Sequence, residues 1–431
     1  MKKILLALIA ILAALLGWEW CCHKHVKCPS DKKIITLQKA GTDKKFTVES
    51  PYSPNELVVN FANYTPAVAQ EIADYLTDAG FTPTDTCPCS DQLQLWGTED
   101  QTVDVIDVAD GAKSKGGGVG GDGISPNFFI EFPKTTGFLP NPVSYDTIQH
   151  PGPVVRVAVI DTGVDTAHAY LDQHMHIASG GACMQDKRYG RNMLDNEPIT
   201  PYDQNGHGTH VSGIIVGVPQ GLAGADDGVK IQLLNIRFTD GSSKSGSLFK
   251  AVCGMYYALN KDVKVMNLSW GYWDTVPPRL MIPVIQQAKD QGVVIVAGVG
   301  NDGAALDSSA AKFWPAGFST TTNNQNVISV GAYDNIANDL ASLSNQGGPA
   351  SMNVIAPGVS ISSSYIKATL GDLTPPLAFS SGTSMATAFV SRTAAIIIGK
   401  YGLSGEQVKE KIIITSAPPH RLLQHAIAIL P

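Results

Sequence analysis

The stretch Val154-Val155-Arg156-Val157-Ala158-Val159-Ile160-Asp161-Thr162-Gly163 decides the fold. Apart from Arg156 it is apolar up to Ile160, as expected of a strand buried on both faces. It ends in an aspartate followed by a turn glycine. Working outward, residues 231–236, 263–268, 293–297 and 327–330 repeat the same apolar theme. Helical stretches lie between them, over 247–260 and 280–291. This alternation predicts an α/β domain whose parallel sheet carries helices on both faces, with ligands at the carboxyl ends of its strands. No internal repeat is found.

The chain has 431 residues, enough for two or three domains and a large core. Hydrophobic residues make up 44 % and charged residues 16 %, so it is neither disordered nor built from many membrane spans. The formal net charge is −7 and no basic cluster stands out, which argues against a nucleic-acid partner.

Upstream of the α/β domain the pattern differs. Glu56-Leu57-Val58-Val59-Asn60-Phe61 alternates like a strand. Thr65 and Pro66 mark a helix start, as N-cap and first helical residue, and Val68, Ile72, Tyr75 and Leu76 keep its period until Gly80. Asp91-Gln92-Leu93-Gln94-Leu95-Trp96 reads as a second strand and Asn127-Phe128-Phe129-Ile130-Glu131-Phe132 as a third. Residues 116–123 form a glycine-rich loop. The expected organisation is a small α+β module (β-α-β) over 29–135, a Pro/Gly-rich linker over 136–153 and the α/β domain over 154–431.

The first 20 residues have the parts of an export signal: Met1-Lys2-Lys3 precedes an apolar run from Ile4 to Leu16. As a helix that run spans roughly 20 Å, short of the roughly 30 Å hydrocarbon core. Trp18 and Trp20 leave open the alternative that residues 4–17 are retained as a membrane anchor. The expected location is secreted or in the cell envelope. The bulky Trp18-Glu19-Trp20 argues against lipidation of Cys21. Cys21-Cys22-His23-Lys24-His25 with Cys28 lacks a second ligand knuckle at zinc spacing and reads as a polar segment behind the signal. Cys87, Cys89, Cys183 and Cys253 complete the seven cysteines, and Cys183 and Cys253 are available to pair in an oxidising compartment.

Four polar signatures carry the chemistry. Asp161 ends the first sheet strand; Asn205-Gly206-His207-Gly208-Thr209-His210 leads into a helix; Ala297-Gly298-Val299-Gly300-Asn301-Asp302-Gly303 follows a buried strand; Ser380-Ser381-Gly382-Thr383-Ser384-Met385-Ala386 opens a helix reaching about Lys400. Taken singly, each has a plain structural explanation. Asp161 caps a turn, Ser384 caps a helix, and Gly298-x-Gly300-x-x-Gly303 is a lone dinucleotide-type match without an acidic partner. His207 and His210 lack the glutamate of a zinc-binding HExxH helix. Asp, His and Ser together are the set that acyl transfer uses. A neutral imidazole takes the serine proton, a carboxylate orients the imidazole, and donors placed in advance hold the oxyanion.

These signatures, with Asp203, Asn267-Leu268-Ser269-Trp270-Gly271, Trp314-Pro315-Ala316, Ser344-Asn345 and Ala356-Pro357-Gly358, make the chain resemble a subtilisin-like serine protease over about 154–431. The resemblance implies that Asp161 orients, His207 acts as base and then acid, Ser384 is the nucleophile and Asn301 an oxyanion donor. It also implies that Ser269, Trp270, Gly271, Gly298 and Gly300 bind substrate, Ser269-Trp270-Gly271 by strand addition. Its partners would be protein or peptide substrates, cut through an acyl-enzyme. The 29–135 module would be a pro-region that inhibits the cleft until cut between Phe132 and Pro153. Alternatives are a catalytically silent member that only binds peptides, and an exopeptidase with the same triad. No cofactor is implied. Calcium would serve stability alone, with no site assigned: Tyr170 stands where many members carry an aspartate, the loop Val218-Pro219-Gln220-Gly221 is short, and Asp226-Asp227 reads as a solvated turn. Ala388-Phe389 replaces the family's usual Pro-His and bears on helix packing.

Overall fold

The computed structural model describes residues 31–115, 123–130, 132, 152–175, 183, 188–194, 199–217, 228–239, 246–320, 325–366 and 377–415. The signal or anchor segment, the Cys21–Cys28 cluster, the loop over 116–122, nearly all of the linker, residues 218–221 and Asp226-Asp227 lie outside them. Among the described residues no helix is long and apolar enough to cross a membrane.

The N-terminal unit runs β1 (Asp31–Gln38), β2 (Lys45–Asn60), α1 (Pro66–Asp78), β3 (Thr82–Thr86), β4 (Leu93–Gly97), α2 (Val105–Lys115) and β5 (Ile124–Ile130). It is richer than the expected β-α-β module. Its antiparallel order is β3-β4-β2-β5, with β1 hairpinned onto β2. Thr65 caps α1 by accepting from the Val68 N–H, and Pro66 sits at the start. The strand expected from Glu56 is the last third of a 16-residue strand whose register shifts between Tyr52 and Leu57. That irregularity accommodates Pro54, which cannot donate to the ladder.

The larger unit is built on β6 (Val154–Asp161), β7 (Gly190–Asn192), β8 (Lys230–Arg237), β10 (Val265–Leu268), β12 (Val294–Gly298), β14 (Val327–Asp334) and β16 (Val354–Pro357). Neighbouring strands run parallel in the order β16-β14-β12-β10-β6-β8-β7, and the short β15 (Asp339–Leu340) pairs antiparallel with β14. Helices α3 (Ala169–Asp172), α4 (His207–Val216), α5 (Leu248–Leu259), α6 (Ile282–Asp290), α7 (Thr383–Tyr401) and α8 (Glu406–Thr415) flank it. Smaller pieces are β9 (Gly246–Ser247), β11 (Tyr272–Asp274) with β13 (Lys312–Trp314), and β17 (Ile361–Ser364) with β18 (Leu377–Ser380).

The two faces of β6 explain why, apart from Arg156, it is apolar up to Ile160. Val155, Val157 and Val159 join α4 and α7 in one apolar core, while Ala158 and Ile160 join α5 and α6 in another. Ile35, Leu57, Val59 and Phe128 of the N-terminal unit belong to that second core, so the two units share one hydrophobic interior.

Polar contacts reinforce this interface. The buried Asn60 amide donates to Tyr256 Oη and to the Leu280 carbonyl. Asn127 Oδ1 accepts the Phe249 N–H at the buried start of α5, where no preceding helical turn can supply an acceptor. The Phe128 and Tyr272 rings stack at 4.5 Å. The cysteines differ from the sequence expectation: Cys253 pairs with Cys87 and Cys183 with Cys89. Each prefers a partner in the N-terminal unit because α5 packs against that unit's sheet, bringing Cys87 within bonding reach of Cys253.

Candidate active site

The carboxyl ends of β6, β10 and β12 converge on the starts of α4 and α7. Asp161 closes β6, fully buried, and its Oδ1 accepts from His207 Nδ1 at 2.8 Å and from the Thr162 N–H at 2.7 Å. His207 is the first residue of α4. This close approach requires Gly208, where a Cβ would fall 2.3 Å from the Gly163 carbonyl. Asp203 ties the two segments together. Its Oδ1 accepts from Thr162 Oγ1 and from the N–H groups of Asn205 and Gly206, and its Oδ2 from Thr209 N–H and Oγ1. The carboxylate is thus fully satisfied, and both the Asp161 turn and the His207 turn are fixed to it.

Ser384 lies in the first turn of α7, where backbone N–H groups have no acceptor within the helix. Its Oγ donates to the Ser269 carbonyl at 3.1 Å, and Ser269 Oγ donates back to the Ser384 carbonyl. The chain continues through Asn267, which donates to Ser269 Oγ and accepts from Ser391. These bonds anchor α7 to the end of β10. Asn301, on the loop after β12, accepts the Thr383 N–H with Oδ1 at 2.8 Å, which leaves its Nδ2 as the donor atom beside Ser384. Asn345 holds that loop through the N–H groups of Asp302 and Ala304 and the Val299 carbonyl.

Of the pair His207 and His210, only His207 belongs to this site. His210 turns the other way, and its ring Nε2 donates to the carbonyls of Ile361 and Ala378. Burial, seconded by the neighbouring His207, holds its pKa down to about 4 although both carbonyls favour the charged ring. The sign follows: the unfolded chain takes up this proton near pH 6.5 and the folded chain only near 4. Stability is therefore lost as pH falls through that window, by about 3 kcal/mol. Urea midpoints at pH 7 and pH 4 should show this loss, and His210→Gln should lose correspondingly less. Equal losses in the two proteins would contradict it.

A cavity of about 200 Å³ opens beside Ser384. All five residues expected to bind substrate line it: Ser269, Trp270, Gly271, Gly298 and Gly300. So does Phe313, which sequence reading left unassigned. Its ring lies between two glycine backbones, since a Cβ at Gly271 would meet it at 2.3 Å and one at Gly300 at 3.0 Å. The N-terminal unit supplies Val48–Pro51 and Phe129 to the same wall.

That unit also covers His207. In β5, Phe129 pairs with Ser247 and Ile130 with Gly246, so it is an added antiparallel strand on β9. Beyond it Phe132 packs edge-on against the His207 ring at 4.9 Å and against Phe238, which in turn meets Trp270. His207 is only 1 % exposed, and among the described residues its Nε2 has no hydrogen-bond partner.

The family profile described as "Subtilase family" (peptidase S8) matches residues 152–426, well over half of the chain. The chain belongs to the subtilase family. Subtilisin Savinase of Lederbergia lenta is 32 % identical over 246 residues, 57 % of this chain and 77 % of that protein. Subtilisin DY of Bacillus licheniformis is 31 % identical over 62 % of this chain and 84 % of its own. Among solved structures, fervidolysin from Fervidobacterium pennivorans aligns with a TM-score of 0.62 at 19 % identity, covering 93 % of this chain and 64 % of fervidolysin. A lanthipeptide protease aligns at 0.51 and 21 %, covering 64 % and 88 %. These two likenesses concern the fold. Subtilase membership makes this protein a serine-type peptidase, and a subtilase needs no catalytic cofactor. Among the described residues no group of three or more His, Cys, Asp or Glu is placed to hold a metal.

Proposed function

We propose that this subtilase is an exported endopeptidase that works through an acyl-enzyme on Ser384. The observation that carries this reading is the buried Asp161–His207 pair at 2.8 Å, together with Asn301, whose Oδ1 holds the Thr383 N–H one residue before Ser384. Because His207 Nδ1–H donates to Asp161, the neutral ring keeps its lone pair on Nε2. Once the Ser384 hydroxyl turns from the Ser269 carbonyl to that nitrogen, it can give up its proton as Oγ attacks a peptide carbonyl. The oxyanion accepts from the Ser384 N–H and Asn301 Nδ2. The imidazolium then protonates the leaving amine, and water enters by the reverse path to release the acid.

The 29–135 module acts as the pro-region in this reading. The β5 strand takes the place of a substrate strand on β9, Phe132 shields His207, and maturation cuts the chain between Phe132 and Pro153. Export fits the two disulfides, which form and persist in oxidising compartments.

Hydrolysis of a peptide blocked at both ends tests the reading. A terminus-dependent enzyme or a silent binder would leave it intact. Asn301→Ala should lower kcat roughly a hundred- to a thousandfold with KM little changed. A fall confined to KM would remove Asn301 from the oxyanion site.

A further inference from the structure

Both disulfides cross the same boundary. Cys87 and Cys89 follow β3 in the N-terminal unit, while Cys253 on α5 and Cys183 belong to the peptidase domain. The only backbone link between the units passes through the segment after Phe132, where the proposed maturation cut falls. We infer that the cut does not free the N-terminal unit, and that the two bridges are sites of thiol–disulfide exchange at which a dithiol releases it. This rests on the pro-region reading for its biological meaning, but the tether itself is a matter of covalent connectivity.

The geometry gives an order of events. Cys89 and Cys183 are partly exposed, whereas Cys87 and Cys253 are 1 % and 3 % exposed under β4 and α5. A thiolate of the reductant therefore reaches Cys89–Cys183 first. It forms a mixed disulfide with one cysteine and expels the other as thiolate, which takes a proton. The second thiol of the reductant then displaces the remaining cysteine and leaves as a cyclic disulfide. Each bridge consumes one dithiol and two electrons and yields two cysteine thiols. Cys87–Cys253 follows once the units loosen.

Until then the inhibitor is intramolecular. A cut pro-region without a tether dilutes away, but here β5 and Phe132 stay at an effective concentration set by two short covalent links. Rebinding to β9 and His207 outcompetes substrate at any ordinary concentration. The noncovalent contacts described above (Asn60 to Leu280, Phe128 on Tyr272, Asp85 with Lys250 at 3.0 Å) keep the tethered unit in place.

The test uses the full chain with Ser384→Ala and a site-specific protease sequence inserted within residues 133–151. After cutting, denaturing electrophoresis without reductant should show one species of full mass, and two fragments with dithiothreitol. Under native conditions, gel filtration should separate the fragments only after reduction. Separation without reductant would overturn the tether. The wild-type chain, cut in the same way, should gain about a hundredfold in hydrolysis of an end-blocked peptide on reduction. Equal rates before and after would overturn the inhibitory role of the bridges. Reducing the folded chain avoids relying on Cys87→Ser or Cys253→Ser, which remove a buried bridge. Failure of the peptidase reading would look different: a wild-type chain that sheds its N-terminal unit under dithiothreitol yet hydrolyses nothing.

Discussion

Ser384→Ala should lower kcat on an end-blocked peptide by about a millionfold, measured on chain from which the N-terminal unit has been cut and released. The size of the effect follows from the site's economy of parts. Thr383, the neighbouring hydroxyl at the start of α7, accepts the Gly300 N–H with its Oγ1. In this reading Ser384, which lines the cavity, is the nucleophile, so alanine removes the attacking atom and leaves only oxyanion donors and binding. The fold should survive. Ser384 Oγ makes one hydrogen bond, to the Ser269 carbonyl, while the reciprocal bond from Ser269 to the Ser384 carbonyl is unaffected by the change. Unchanged thermal unfolding alongside lost turnover separates chemistry from stability. A variant within tenfold of wild type would place the nucleophile elsewhere.

Asp161→Asn should cost about ten-thousandfold in kcat. Asp161 is fully buried at the end of β6, and its Oδ1 serves both the Thr162 N–H and His207 Nδ1. The amide is nearly isosteric, so packing is kept. The negative charge that steadies the imidazolium is lost. Wherever the amide nitrogen faces Nδ1, the ring proton moves to Nε2, the atom that must accept from Ser384. Steady-state kinetics beside an unchanged circular dichroism spectrum would read this directly. A loss under a hundredfold would mean that His207 is oriented by other groups, with the Asp203 clasp the first to be examined.

The parallel sheet was legible because its strands are buried on both faces, which leaves runs such as Val157 to Ile160 with nothing polar to confuse them. The candidate site residues stood out in the sequence for a related reason. Asp161, His207, Asn301 and Ser384 sit at strand ends and helix starts, where glycines such as Gly208 mark places without room for a side chain. Much of the N-terminal unit was not legible. Strand β3 is an edge strand, Thr-Pro-Thr-Asp-Thr, almost wholly exposed and held by its pairing with β4. Helix α2 carries Gly111 mid-way, where the Tyr75 hydroxyl packs so closely that an added Cβ would lie 2.0 Å from it and would require the ring to shift. The disulfide partners are 166 and 94 residues apart, and only the docking of α5 on the N-terminal sheet chooses among the pairings. Phe132 was read only as the end of a strand and Phe313 gave no local signal, since an aromatic residue is as often core as cleft.

The most direct test of the central claim is covalent. Chain freed of its N-terminal unit is treated with a fluorophosphonate, digested and mapped by mass spectrometry. A single phosphonyl adduct on Ser384, absent from Ser384→Ala and strongly slowed in Asp161→Asn, is the expected result. A freed and folded wild-type chain that takes up no reagent, or takes it up at another residue, would contradict it.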